Sequence, residues 1–181
     1  MRAETERLTL RPLEQRDRAD LERIMGDEQV RRFFPTRASS EDVDRFLNRV
    51  WQEEADYGFC FGAAEWKANG RLAGIIGMAR FDEPLRAATG AEVEIGWQLD
   101  PAFWGQGVAP EGAQAWLDYG WRELGLREVV AITAVPNRPS QRVMEKLGMV
   151  RDEARDFDHP RVPEGHALRR HVLYRIGNPL V

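Results

Sequence analysis

The residues best suited to chemistry lie in the segment W-G-Q-G-V-A, Trp104 to Ala109. Gly105 and Gly107 can take backbone angles closed to other residues, and they carry no side chain to hold a ligand off the main chain. Between a strand and a helix N-terminus, such a loop aims its N–H groups and the helix dipole at one point. The chemistry that fits is binding of a phosphate or pyrophosphate without a cationic side-chain clamp. The spacing G-x-G-x-A is not the dinucleotide fingerprint, and no Gly-Lys-Ser/Thr follows as in a P-loop. An ordinary strand–loop–helix connection carries the same signature, so the loop alone leaves both readings open. Just before it, Glu92 and Glu94 place two carboxylates on the strand face opposite Val93, Ile95 and Trp97. His159, His166 and His171 are scattered and lack ligand spacing, so no metal is expected. Cys60, between Phe59 and Phe61, reads as an inert, part-buried thiol.

The elements that must position these residues are legible from periodicity. Glu92–Leu99 alternates apolar and polar residues with a period of two, as a half-buried strand does. From Val108 the pattern is helical, with Pro110 and Glu111 in the first turn and Ala109, Ala113, Trp116, Leu117 and Trp121 on an apolar face. Upstream, Leu8–Leu13 is a short strand, Asp17–Met25 a helix, and Val30–Pro35 a loop or short helix. A second long helix starts at Ser39 or Ser40, with Val43, Phe46, Leu47, Val50 and Trp51 on one side. Phe59–Lys67 and Arg71–Phe81 are strands joined by the Asn69-Gly70 turn, and Asp82–Gly90 is a loop. Downstream, Arg127–Ala134 is an unbroken β-branched strand. A helix capped by Asn137 runs from Pro139 to Lys146, and Met149–Phe157 and Ala167–Ile176 are final strands. The order β-α-α-β-β-β-α-β-α-β-β makes an α+β fold, a mixed and mostly antiparallel sheet with helices on both faces.

The chain has 181 residues, 43% hydrophobic and 31% charged, which fits a single domain over 1–181 with a substantial core. A net charge of −4 argues against a general nucleic-acid surface. One cysteine rules out an intrachain disulfide, and no apolar run approaches a membrane span. The N-terminal residues M-R-A-E-T-E-R lack a signal-peptide apolar region, so the cytoplasm is the expected compartment.

Three segments together resemble the GNAT superfamily of acyl-CoA N-acyltransferases. Trp104–Ala109 matches the family's [Q/R]-x-x-G-x-[G/A] loop, with Trp104 in place of the commoner Gln or Arg. Asn137–Met149, N-R-P-S-Q-R-V-M-E-K-L-G-M, is similar to N-x-x-S-x-x-x-x-E-K-L-G-[FM] of the ribosomal-protein N-terminal acetyltransferase branch, where the Trp also occurs. The start, E-T-E-R-L-T-L-R-P-L at Glu4–Leu13, is the third match.

The resemblance implies acetyl-CoA as co-substrate and an amine as acceptor. The pyrophosphate would lie on the backbone of Trp104, Gly105, Gln106, Gly107, Val108 and Ala109. The preceding strand would carry a bulge and splay from Arg127–Ala134, so that pantetheine pairs with the backbone of Trp97, Gln98 and Leu99 as an added strand. Asn137 would reach pantetheine or cap its helix, or both. Acetyl transfer needs a base for the amine, donors for the developing oxyanion and a partner for the leaving sulfur. Relatives imply Glu94 as the base, directly or through water, with Glu92 second; each is otherwise a solvated carboxylate. Many relatives use a tyrosine on the helix after the fifth strand as the acid, but Val143-Met144-Glu145 stands there. Ser140 matches the branch's serine instead, and Tyr174 is the fallback. Arg31, Arg32, Phe33 and Phe34 would line the acceptor cleft. The acceptor is a protein N-terminus or a small amine, and homodimers are frequent among similar proteins. Two other readings stand beside this one: a catalytically silent acyl-CoA-binding module, and a loop for some other phosphate ligand.

Overall fold

A computed structural model describes all residues from Met1 to Val181. Nine strands form one sheet in the order β1-β2-β3-β4-β5-β6-β9-β7, with β8 also paired to β9. Their spans are β1 Ala3–Glu4, β2 Leu8–Arg11, β3 Phe61–Trp66, β4 Arg71–Arg80, β5 Val93–Leu99, β6 Glu128–Ala134, β7 Val150–Arg151, β8 Phe157–Asp158 and β9 Arg170–Gly177. Every pairing is antiparallel except β5 with β6. The helices are α1 Arg18–Gly26, α2 Glu28–Arg31, α3 Ser40–Tyr57, α4 Glu83–Thr89, α5 Val108–Arg122 and α6 Arg138–Lys146.

The alternation along β4 sorts the two faces. Ile76 and Met78 join the core under α5, with Trp116, Leu117 and Trp121 of that helix and Met144 of α6. Ile75 and Ala79 join a second core under α1 and α3, built from Leu21, Ile24, Val43, Leu47 and Val50. Gly112 lets α5 settle on the sheet, because a Cβ there would lie 2.5 Å from Ile76 Cδ1. The α+β class and helices on both faces match the sequence expectation.

Four local expectations need correction. Asp82–Gly90 is not a loop: Asp82 caps α4 by accepting from Leu85 N, Pro84 sits in its first turn, and Gly90 closes it in the left-handed region. Met149–Phe157 is not one strand. A 3-10 turn over Glu153–Arg155 divides it into β7 and β8. The two-residue β1 was not anticipated. The bulge expected in β5 is absent too: β4 and β5 stay in register from Gly74↔Leu99 to Arg80↔Val93, and the irregularity falls between β3 and β4 at Ala64/Glu65.

The splay expected at β5 and β6 is present without that bulge. Their ladder is the single parallel pair Glu94↔Val130, near the start of both strands. Beyond it the strands share no pairing, and the sheet forks.

Candidate active site

Two backbone features meet at the fork. The first is the loop before α5. Gly105 (φ 73°) and Gly107 (φ 80°) are left-handed and Gln106 between them is not, the alternation that turns successive N–H groups to one side. The N–H groups of Gly105, Gln106, Gly107, Val108 and Ala109 have no acceptor in the protein, while Glu111 N resumes helical bonding to Gly107 O at 3.1 Å. Five consecutive free donors at a helix N-terminus fit an anion such as a pyrophosphate.

The second feature is the exposed edge of β5. Phe81 N donates to Glu92 O and Asp100 N to Ala73 O, so even-numbered residues of β5 turn their main-chain groups to β4. Antiparallel alternation then turns those of Ile95, Trp97 and Leu99 toward β6. Trp97 and Leu99 lie past the last β5–β6 pair, so Trp97 N–H, Trp97 C=O and Leu99 N–H face the open fork. Gln98 is turned the other way, with its main chain on β4 and its Nε2 buried without a partner. Leu99 O is taken by the Trp104 indole N–H at 2.9 Å. That bond gives the Trp its place: it ties the loop to the end of β5 while leaving the ring 37% exposed.

Two residues that hold the loop were missed from sequence. Arg7 donates through Nη1 to Gln106 O at 2.7 Å and through Nε to Glu111 Oε2 at 2.6 Å. Glu111 also accepts from Arg7 N at 2.9 Å and from Thr5 Oγ1. The pair braces the loop from outside and neutralises a carboxylate that would otherwise repel an anion at the helix start. The only sequence signal was Glu111 in the first turn; its partner lies 104 positions away.

Side chains dominate the other face of β5. Glu94 is half-buried and its carboxylate has no hydrogen-bond partner. Burial pushes its pKa up to about 7, with Arg49 and Arg161 pulling down and Glu53 and Asp82 pushing up. Those four neighbours are already paired: Arg49 Nη1 lies 3.0 Å from Glu53 Oε1, and Arg161 binds Asp82. Glu94 is therefore the odd carboxylate between two closed ion pairs. Glu92 is exposed and lies 3.5 Å from Arg86, which suits a solvated surface role. Phe61 covers Gly96 beside Glu94 and packs on Phe46 of α3 with ring centroids 6.3 Å apart.

On the α6 side, Asn137 Oδ1 accepts from Ser140 N at 3.3 Å, capping the helix as expected. Its Nδ2 donates to Ser140 Oγ at 3.0 Å and to Thr133 Oγ1 at 2.8 Å. Tyr174 donates its O–H to Glu145 Oε1 at 3.4 Å, and burial and that carboxylate raise its pKa, so it keeps its proton. Arg31 stacks on Phe34, while Arg32 lies over both Phe33 and Trp104, which puts this segment beside the loop. The His159 and His171 rings pack at a tilt, centroids 4.7 Å apart, near Phe157, and burial lowers the pKa of both, that of His159 to about 4. Cys60 is buried, its Sγ bonded to Glu53 Oε2.

A forked sheet whose open edge runs toward a glycine loop at a helix N-terminus is the arrangement that the acetyltransferase (GNAT) domain is built on, and the model of that domain matches residues 7–150. The chain belongs to the GNAT acetyltransferase family. It is similar to the uncharacterized N-acetyltransferase YnaD of Bacillus subtilis, 29% identical over 97% of this chain and 96% of YnaD. It is also similar to a solved GNAT-family acetyltransferase from Bacillus anthracis, with a TM-score of 0.79, 28% identity, and coverage of 98% and 99% of the two chains. A spermidine N-acetyltransferase from Vibrio cholerae, solved with CoA and spermine, shares the fold at a TM-score of 0.72 and 19% identity, over 94% and 95% of the chains. The GNAT chain described here is an N-acetyltransferase; its family transfers acetyl groups from acetyl-CoA to amines. No helix of it is long and apolar enough to cross a membrane.

Proposed function

We propose that residues 1–181 form one acetyltransferase domain that acetylates a primary amine by direct attack in a ternary complex. Acetyl-CoA supplies an activated acyl group on a good leaving sulfur. The protein's part is to hold, orient and deprotonate. Its pyrophosphate lies on the free N–H groups of Gly105–Ala109, beside Trp104. Trp97 and Leu99 pair with pantetheine as a strand would, and a free N–H of that edge meets the developing oxyanion. Glu94 takes the proton of the amine, directly or through one water; the new C–N bond forms as the C–S bond breaks and its electron pair leaves on sulfur. Ser140 offers its O–H to that sulfur.

The observation carrying this reading is the junction itself: five unpaired backbone donors and an open strand edge on one side of β5, and one unpaired, half-buried carboxylate on the other. A pKa near 7 suits a base at neutral pH, since about half of the group is deprotonated there and it is still basic enough to accept.

The acceptor is a protein N-terminus, in keeping with the ribosomal-protein branch resembled by Asn137–Met149, or a small amine such as the polyamine bound by the Vibrio cholerae protein. The cytoplasm is the compartment that holds acetyl-CoA and either acceptor. The deciding experiment measures release of free coenzyme A against ribosomal N-terminal peptides, polyamines, aminoglycosides and amino acids. Turnover with one class, reduced about a hundredfold or more in Glu94→Gln, supports the proposal. Binding of acetyl-CoA without turnover across the panel, unchanged by Glu94→Gln, favours a silent binding module.

A further inference from the structure

The hydrogen bonds around Asn137 determine more than a helix cap. Ser140 N–H can only donate, so the atom it meets must be the amide oxygen, and the orientation of the Asn137 side chain is fixed by chemistry. Nδ2 then faces Thr133 Oγ1 and Ser140 Oγ. An amide nitrogen has two hydrogens and accepts nothing, so both are spent, and both hydroxyl oxygens are acceptors in these bonds. The Ser140 hydroxyl hydrogen must therefore point away from Asn137, and it has no acceptor in the protein. Thr133, only 8% exposed, sits on β6, the strand that forms one arm of the fork.

We propose that Thr133 is a positioning residue which, through the Asn137 amide, holds the Ser140 hydroxyl as a hydrogen-bond donor toward the coenzyme's sulfur. The inference rests on the reading of Ser140 given above. Without the Thr133 acceptor, one Asn137 hydrogen loses its partner and the amide is free to turn. Ser140 could then donate to Oδ1, and its hydrogen would no longer be presented to the sulfur. With Thr133 in place, the C–S electron pair departs on sulfur, which accepts the Ser140 hydrogen bond as a thiolate. The proton stays on Ser140 Oγ, because an alkoxide is far more basic than a thiolate, and the donation from Nδ2 polarises that O–H further. Asn137 thus spends both amide hydrogens inside the protein, while its Oδ1 keeps a second lone pair.

The test uses bound coenzyme A as well as turnover. The pH dependence of coenzyme A affinity, measured by calorimetry, reports the pKa of its bound thiol. Removing a donor to the thiolate raises that value by about one unit, a tenfold change in the thiolate's relative affinity. Thr133→Val is expected to produce this shift and lower kcat about threefold to tenfold, with KM for acetyl-CoA within about twofold. Thr133→Ser restores both. In a Ser140→Ala background Thr133→Val adds nothing, because the two act on one bond. Should Thr133→Val fail to fold, Asn137→Asp is the alternative. It keeps the cap but accepts where the amide donated, so Ser140 turns its hydrogen inward and the thiol pKa rises as in Ser140→Ala. Equal losses from Thr133→Val with and without Ser140, or no rescue by Thr133→Ser, would overturn the role of Thr133 alone. A thiol pKa and kcat unmoved by Ser140→Ala would overturn the reading of Ser140 and this inference with it.

Discussion

The two sides of β5 are built on different principles. The side that opens toward α5 and α6 is made of backbone: free N–H groups at Gly105–Ala109 and an unpaired strand edge at Trp97 and Leu99. Its side chains serve as braces, with Arg7 and Glu111 outside the loop and Trp104 tying it to Leu99. The face toward α3 is made of side chains, with Glu94 between two ion pairs contributed by distant parts of the chain. Backbone recognition suits a co-substrate that never changes. Side-chain recognition suits an acceptor that differs among relatives.

The largest effect should come from the backbone side. Gly107→Val places a branched residue at φ 80° and beside the free donors, so acetyl-CoA affinity should fall at least a hundredfold by calorimetry. Gly105, whose surroundings are open, should tolerate Ala better, losing about tenfold from its φ of 73°.

On the side-chain face, kcat/KM should rise with pH through a limb near 7, which Glu94→Gln abolishes. The same group destabilises the fold at high pH. Its pKa is about 7 in the fold against an ordinary 4.5, so between these values the folded chain holds a proton that the unfolded chain has lost. Stability contributed below 4.5 is lost as pH rises through 7. Glu94→Gln should therefore melt above the native protein at pH 8 and level with it near pH 4.

How much of this was legible in sequence follows the same division. The loop, α5 and the cap at Asn137 are written in local spacing, so they could be read. The splay of β5 and β6 came with the family resemblance, but its mechanism did not: the fork needs no bulge, only the end of pairing after Glu94↔Val130. Helix α4 was hidden because Asp82, Pro84 and Gly90 are residues that turns and helix ends share. Arg49–Glu53 is an i,i+4 pair on α3, but nothing local places it beside Glu94; Arg161–Asp82 joins distant segments, and Arg7–Glu111 does the same across the molecule.

A smaller prediction concerns that last pair. Arg7→Ala should weaken acetyl-CoA binding several-fold by freeing Glu111 and loosening Gln106, and Glu111→Gln should recover part of the loss in the double variant. The smallest effect belongs to Glu92→Gln, which should leave kcat/KM and its pH limb within about twofold, since that carboxylate is exposed just before β5 begins.

The division between backbone and side-chain recognition is tested most directly by acetyl-CoA affinity, measured by calorimetry at pH 8 in the native protein, Gly107→Val and Glu94→Gln. Binding should collapse in Gly107→Val and stay within about twofold of native in Glu94→Gln. Native-like binding by Gly107→Val, or an equal loss in both variants, would contradict it.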